Sequence, residues 1–228
     1  MPGKLYVVGT SLGNMGDISP RAVQTLSGVD FIAAEDTRVT MELLSFFGIA
    51  KPMVSCHEHN VGGGAREVRG RIAAGESCAL VTDAGMPCIS DPGEGLVKLC
   101  VEMGVEVCVV PGPTAVTTAL AISGMSVGRF AFEGFLTVKK AGRFARLEEV
   151  KNDPRTLVFY EAPQKLLYTL SDMLAVFGER NVVLARDLTK PQEEVIRTTL
   201  SNAVEKYKAE PPRGEYVVII GGASSAVP

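Results

Sequence analysis

The first half of this chain alternates short apolar strands with helical patterns, and that alternation narrows the fold more than any other feature. Strands are expected at 5–8, 30–34, 53–55, 78–81 and 105–110. Between them, Ser19-Pro20 reads as an N-cap followed by proline at the first helical position. Val39, Leu43, Leu44 and Phe47 share one face of a helix over 38–47 that stops at Gly48. Two further helices end at Gly75 and Gly104. Parallel neighbours need a crossover long enough for a helix, so this order implies a parallel sheet covered by helices.

Pro111-Gly112-Pro113 then breaks the chain ahead of a small-residue helix over 114–123. The second half carries more strand, at 129–135, 156–160, 182–187, 194–199 and 216–220, with helices over 142–151 and 163–177. Its last strands lie close in sequence, which favours antiparallel or mixed pairing. The expected fold class is α/β in two domains: a parallel-sheet domain over 1–112 and a mixed-sheet domain over 113–221. A small polar tail over 222–228 follows.

Composition excludes several classes. The 228 residues are enough for two modest cores, and 46% hydrophobic with 21% charged content is ordinary for a globular protein. No apolar stretch is long enough to span a membrane, and the start reads as a strand rather than a signal peptide. The five cysteines are an odd number without C-x-x-C spacing, as expected of reduced thiols in a cytoplasm. A net charge of −3 gives no bulk argument for nucleic acid, so any such partner needs a local patch.

Residues 80–93 read L-V-T-D-A-G-M-P-C-I-S-D-P-G. An apolar strand ends in a loop dense in Asp, Gly and Pro, a composition that lets a ligand approach backbone closely at the carboxyl end of a strand. Gly9-Thr10-Ser11-Leu12-Gly13-Asn14-Met15-Gly16 stands where a Rossmann fingerprint would stand. Its glycine spacing is different and it lacks the Walker lysine, so a dinucleotide or triphosphate site is disfavoured. Glu35-Asp36-Thr37-Arg38 and Cys56-His57-Glu58-His59-Asn60 follow the second and third strands and should emerge on the same edge as Asp83. The first of these also reads as a helix N-terminus capped by Thr37, and the two readings are compatible. Cys56, His57 and His59 are too close in sequence to complete a tetrahedral metal site, so no metal is expected. Lys139, Lys140, Arg143, Arg146 and Lys151 crowd one segment, with Arg186, Lys190 and Arg197 further on; taken alone, such a run is a solvated face.

With these motifs in place, the chain resembles the tetrapyrrole methylase superfamily of S-adenosylmethionine-dependent enzymes over residues 5–221. Within it the likeness is to the bacterial 16S ribosomal RNA 2′-O-ribose methyltransferases that act on a cytidine. The Asp83-Ala84-Gly85, Ile89-Ser90-Asp91-Pro92-Gly93 and Pro111-Gly112-Pro113 motifs speak to the cofactor. Glu35-Asp36-Thr37-Arg38, His57-Glu58-His59-Asn60 and Leu188-Thr189-Lys190 separate the RNA branch from the corrin and sirohaem branches. Ser11, Met86, Cys88, Thr137 and Gln164-Lys165 depart from the pattern, standing where the superfamily has proline, threonine, glycine, proline and His-Arg.

The resemblance implies S-adenosylmethionine folded in the cleft between the domains. Ser11, Asp83, Ala84, Gly85, Met86, Cys88, Pro111, Thr114, Ala115, Tyr160, Glu161, Ala162 and Pro163 would line it, largely through backbone groups. It implies a catalytic set of Glu35, Asp36, Arg38, His57, Glu58 and Lys190, in which a carboxylate or imidazole takes the hydroxyl proton. It gives Lys139, Lys140 and Arg143 a phosphate-rich partner, 16S ribosomal RNA in the small ribosomal subunit, with no DNA or membrane partner expected. It also implies a homodimer. The rivals are a corrinoid or sirohaem-pathway methyltransferase, which needs an apolar trough for a macrocycle, and a non-enzymatic RNA-binding protein. For the latter, 6% aromatic content without tryptophan makes a poor stacking platform.

Overall fold

The computed structural model describes residues 3–56 and 63–223. These fall into two compact units that divide after Thr114.

In the first unit, strands β1 (Leu5–Val8), β2 (Phe31–Ala34), β3 (Met53–Ser55), β4 (Cys78–Val81) and β5 (Val107–Val110) form a sheet in the order β3-β2-β4-β1-β5, parallel at every pairing. Helices α1 (Pro20–Gly28), α2 (Thr37–Phe46), α3 (Gly64–Ala73) and α4 (Glu94–Glu102) make the connections. Alternate residues of each strand feed separate cores. Leu5, Phe31, Ala33, Cys78 and Leu80 pack under Val68 and Ile72 of α3 and Leu96 and Cys100 of α4. Val8, Ile32, Ala34, Ala79 and Val81 pack under Ala22 and Leu26 of α1 and Leu43 and Leu44 of α2. Both faces are covered, which is why these strands read as continuous apolar runs. At the start of α1, Ser19 accepts the Ala22 N–H and Pro20 occupies the first turn, as its sequence indicates. At α2 the cap is Asp36, not Thr37: its carboxylate accepts the Arg38 N–H, and Thr37 is the first helical residue.

The second unit has α5 (Ala115–Ser123), β6 (Phe130–Phe135), α6 (Lys140–Val150), β7 (Thr156–Glu161), α7 (Pro163–Phe177), β8 (Asn181–Arg186), β9 (Glu194–Thr199), α8 (Leu200–Ala209) and β10 (Tyr216–Ile220). Its sheet runs β6-β7-β10-β8-β9 and is mixed, with β6 parallel to β7 and antiparallel pairing elsewhere. Helices α6, α7 and α8 cover one face around Leu147, Leu166, Leu170, Ala203 and Phe159, while α5 covers the other around Val116, Leu120, Val183 and Val217. Helix α8 is missing from the sequence reading. Leu200, Ala203, Val204 and Tyr207 all face inward, an i, i+3, i+4, i+7 pattern that signals a helix in this segment.

Candidate active site

The strand order determines where a ligand can sit in the first unit. From β1 the chain crosses over β4 toward β2, while from β4 it crosses over β1 toward β5. The two connections diverge from neighbouring strands, and a crevice opens outside their carboxyl ends. Glu35, Thr82, Asp83, Pro111 and the 9–16 turn all follow strands at this one edge.

The loops there are laced together by backbone. The Thr10 N–H donates to the Gly85 carbonyl at 2.9 Å, the Gly85 N–H to Ser11 at 3.3 Å, and the Gly9 N–H to Val110 at 2.9 Å. Thr10 Oγ1 donates to the Thr82 carbonyl at 3.2 Å. Gly9 and Gly112 touch backbone to backbone: a Cβ on Gly9 would lie 2.6 Å from Gly112 Cα, so neither position has room for a side chain. The Gly112 N–H is met only by the Met86 sulfur at 3.3 Å, a weak acceptor. Cys88 and Ser90 hold φ of 71° and 63°, left-handed values that cost non-glycine residues about 1–3 kcal/mol each. Strain of this kind in a strand-end loop is a mark of a binding or catalytic segment.

Beside this cradle lies a set of carboxyl groups tied to one another. Glu35 Oε2 accepts the Thr82 hydroxyl at 2.6 Å and the Asp83 N–H at 3.3 Å. Asp83 Oδ1 accepts the Asp36 N–H at 3.1 Å. Asp36 takes Arg38 in a fork, with 2.6 Å to the terminal nitrogen, and this pairing holds its carboxyl down at about 2. Asp83 is pushed up by burial and by the charges of Glu35 and Asp36, against the Asp36 N–H, which lowers it. Asp91, half-buried, is pushed up to about 6, first by burial and then by the charge of Glu35. A carboxyl raised this far in a crevice is poised for proton transfer near neutral pH. Sequence reasoning passed over Asp91 as a working residue because its loop motif spoke only to the cofactor, and no local pattern shows it folding back on Glu35 and Thr82.

The structure thus brings Glu35, Asp36, Arg38 and Asp83 together. His57 and Glu58 lie outside the described residues. Among the described residues, no group of three His, Cys, Asp or Glu could hold a metal ion, and no helix is long and apolar enough to cross a membrane.

In the second unit, β6, β7 and β8 end at the same side of their sheet, which gathers the 160–163 segment and the 187–190 loop. Tyr160 packs edge-on against Phe132 and Phe135. Glu161 is 2% exposed and its carboxylate is fully engaged by Ala162 N–H, Thr169 Oγ1 and Lys165 Nζ, which leaves backbone as its contact to any ligand. Lys190 pairs with Glu215 at 2.6 Å above buried Asp187. Asp187 and Thr189 hold φ of 49° and 66°, and a Cβ on Gly214 would lie 2.1 Å from Asp187 Oδ2.

The basic segment departs from expectation at Arg143. That residue is 8% exposed, pairs with Asp172 at 2.6 Å and donates to the Thr137 and Val138 carbonyls, so its guanidinium is directed into the fold and not to a phosphate. The physical reason is helical phase, since Arg143, Leu147 and Val150 share the buried face of α6. Arg146 is taken by Glu133 and Glu149, Lys151 by Glu148, and Arg197 by the carbonyls that end α5. Lys139 and Lys140 remain exposed.

The family profile described as Tetrapyrrole (Corrin/Porphyrin) Methylases matches residues 4–204. The chain belongs to the tetrapyrrole methylase family. A relative from Synechocystis, "Ribosomal RNA small subunit methyltransferase I", is 47% identical over 97% of this chain and 80% of its own length. One of the same name from Thermotoga maritima is 45% identical over 96% of this chain and 99% of its own. Among solved structures, a cobalt precorrin-4 methyltransferase of cobalamin biosynthesis superposes with a TM-score of 0.73 at 18% identity, covering 96% of this chain and 95% of that one. A Thermus thermophilus uroporphyrin-III C-methyltransferase complexed with S-adenyl homocysteine superposes with a TM-score of 0.70 at 19% identity, covering 97% and 99%. At those identities the solved neighbours speak to the tetrapyrrole methylase fold, and the sequence relatives carry the information on branch.

Proposed function

We propose that this tetrapyrrole methylase is an S-adenosylmethionine-dependent methyltransferase that acts on the 2′-hydroxyl of a cytidine ribose in 16S ribosomal RNA. The observation that carries this reading is the contrast in similarity. Relatives named as ribosomal RNA methyltransferases are 45–47% identical across nearly the whole chain, whereas the macrocycle enzymes share 18–19% and the fold.

The cradle fits the methyl donor. Gly9 and Gly112 in contact and Gly85 at φ 85° leave backbone groups, not side chains, to face a ligand. Ser11, Asp83, Ala84, Gly85, Met86, Cys88, Pro111 and Thr114 would hold it, and in the second unit the same reading assigns Ala115 and the backbone of Tyr160, Glu161, Ala162 and Pro163. When bound, S-adenosylmethionine supplies an electrophilic methyl group on a positively charged sulfur. The chain has two tasks, which are to align the hydroxyl oxygen and to accept its proton. Glu35 suits the second: Oε2 is anchored by Thr82 and Asp83, while Oε1 makes no hydrogen bond among the described residues. Asp36 and Arg38 fix the start of α2 beside it. His57 and Glu58 stay in the proposed catalytic set on the resemblance, and Lys190 is assigned to orienting the hydroxyl or its phosphate.

The finer parts of the proposal are the small ribosomal subunit as substrate, a cytoplasmic setting and a homodimer. The dimer is supported by the unpaired edge of β6, where Val127, Phe130, Phe135 and Val138 are all exposed. Light scattering at low micromolar concentration tests it, and a monomer alone would overturn it.

The deciding experiment supplies labelled methyl donor with small subunits, naked 16S RNA or a precorrin. Label recovered as 2′-O-methylcytidine supports the proposal. Label recovered in the macrocycle returns the corrin reading, and cofactor-independent RNA binding without transfer returns the RNA-binding module.

A further inference from the structure

The Thr82 hydroxyl stands between two carboxyl groups. It donates to Glu35 Oε2 at 2.6 Å, and the same hydroxyl hydrogen-bonds with the Asp91 carboxyl. A hydroxyl has one proton to give. Two carboxylates on either side of it cannot both be satisfied, so whichever lacks the donor is a partly buried charge facing a like charge. Such a pair relieves itself by binding one proton between them, and the apparent midpoint then belongs to the pair.

Neighbouring groups leave little else to do that work. Asp83 acts as an acceptor toward the Asp36 N–H, and Asp36 is held ionised by Arg38. The charged groups acting on Asp91 are Glu35 after β2 and Asp83 after β4. Arg38 and Asp36 act in turn on Asp83, and on the 83–94 loop Asp91 and Glu94 both act on Cys88. Ser90, immediately before Asp91, is in a left-handed conformation, so this placement is built in against a local backbone preference.

We propose that Glu35 and Asp91 work as one proton-accepting pair, with the Thr82 hydroxyl donating to whichever carboxyl remains ionised, and that this pair takes the proton released by the methyl-accepting hydroxyl. As the hydroxyl oxygen bonds the methyl carbon, its O–H proton passes to Glu35 Oε1 and the C–S electron pair stays on the departing sulfur. Glu35 becomes neutral, and Thr82 turns its own proton to Asp91. The proton later leaves to solvent. Asp91 does not touch the substrate; it is a positioning residue whose charge makes Glu35 a stronger base, closer to working pH than a lone carboxylate. The catalytic half of this rests on the proposed hydroxyl methylation, while the proton-sharing half does not.

Two measurements test the two halves separately. The first is a carbonyl-carbon NMR titration of the full chain labelled at aspartate. It should show one aspartate with a midpoint well above the ordinary range. That signal should vanish in Asp91→Asn and fall toward the ordinary range in Glu35→Gln. An Asp91 signal with an ordinary midpoint, or one indifferent to Glu35, overturns the pairing. The second is the pH profile of methyl transfer to small subunits. The wild-type rate should rise through a limb near pH 6, and in Asp91→Asn that limb should move down in pH while the rate at pH 8 falls about tenfold, as a weaker base requires. Thr82→Ser should keep the limb and Thr82→Val should lose it. A rate lowered equally at every pH, with the limb unmoved, makes Asp91 structural and overturns its role. Confirmed titration with no transfer to RNA leaves the pair intact and overturns the substrate proposal instead.

Discussion

In the first unit, five parallel strands deliver every carboxyl-end loop to one edge, and the charged side chains there face each other: Glu35 meets Thr82 and Asp83, and Asp91 feels both Glu35 and Asp83. In the second unit, mostly antiparallel pairing sends turns to both ends, and the charged side chains find partners close at hand. Arg146 takes Glu133 and Glu149, Lys151 takes Glu148, and Arg143 turns inward to Asp172. The difference lies in how each sheet arranges its loops. Parallel connection concentrates like charges that sequence keeps far apart, which shifts their proton affinities, while local ion pairing neutralises a run that looks basic on paper. Perturbed acids therefore mark the first unit as the seat of chemistry, and the second as the unit whose charges are mostly structural.

That contrast can be broken in several ways. The largest expected effect is on transfer: Glu35→Gln should lower the methylation rate by about 100- to 10,000-fold with cofactor affinity nearly unchanged, measured by single-turnover assay and calorimetry. A loss below tenfold would remove the first unit's claim to the proton. Next comes Arg143→Ala, which strands Asp172 beneath α6 and should destabilise the protein by about 3–5 kcal/mol in urea unfolding, with salt-dependent RNA binding unaltered once folded. If stability holds and RNA binding weakens instead, Arg143 serves a phosphate after all. Gly9→Ala should cost about 1–3 kcal/mol, because the new Cβ meets Gly112 backbone that cannot move aside, and should abolish cofactor binding by calorimetry.

A smaller effect concerns pH. Asp91 has a folded-state midpoint near 6, above its ordinary value of 3.8, so its contribution to stability is complete below about pH 4 and is lost as pH rises through 6. Asp91→Asn should therefore be more stable than wild type at pH 8, by about 1 kcal/mol for a half-exposed group, and the gap should close toward pH 4. The smallest expected effect belongs to Lys139→Gln with Lys140→Gln. Stability should not change, and the slope of log affinity against log salt should flatten by about 0.7–0.9 for each lysine that meets a phosphate. An unaltered slope would place the RNA path elsewhere.

Much of this architecture was legible in the chain. The alternation of apolar runs with Ser19-Pro20, Gly48, Gly75 and Gly104 punctuation leads to the parallel sheet, because helix caps and buried strands have local signatures. The convergence of Glu35, Asp36 and Asp83 follows from parallelism alone. Helix α8 was legible too, through Leu200, Ala203, Val204 and Tyr207, but the closeness of β9 and β10 in sequence drew attention to strand pairing.

What sequence by itself determined, then, is whatever depends on neighbours within a few residues: where strands and helices lie, which turns need glycine, and which family pattern the motifs carry. Only the tertiary structure decided that Arg143 is a buried partner of Asp172, that Glu161 spends its carboxylate internally, and that Asp91 shares a hydroxyl with Glu35. Each of these is a contact across many residues of chain, and a charge's partner, burial and proton affinity are properties of what surrounds it in space. The same carboxyl letter held down at about 2 in Asp36 and pushed up to about 6 in Asp91 differs only in that Arg38 faces one and Glu35 faces the other.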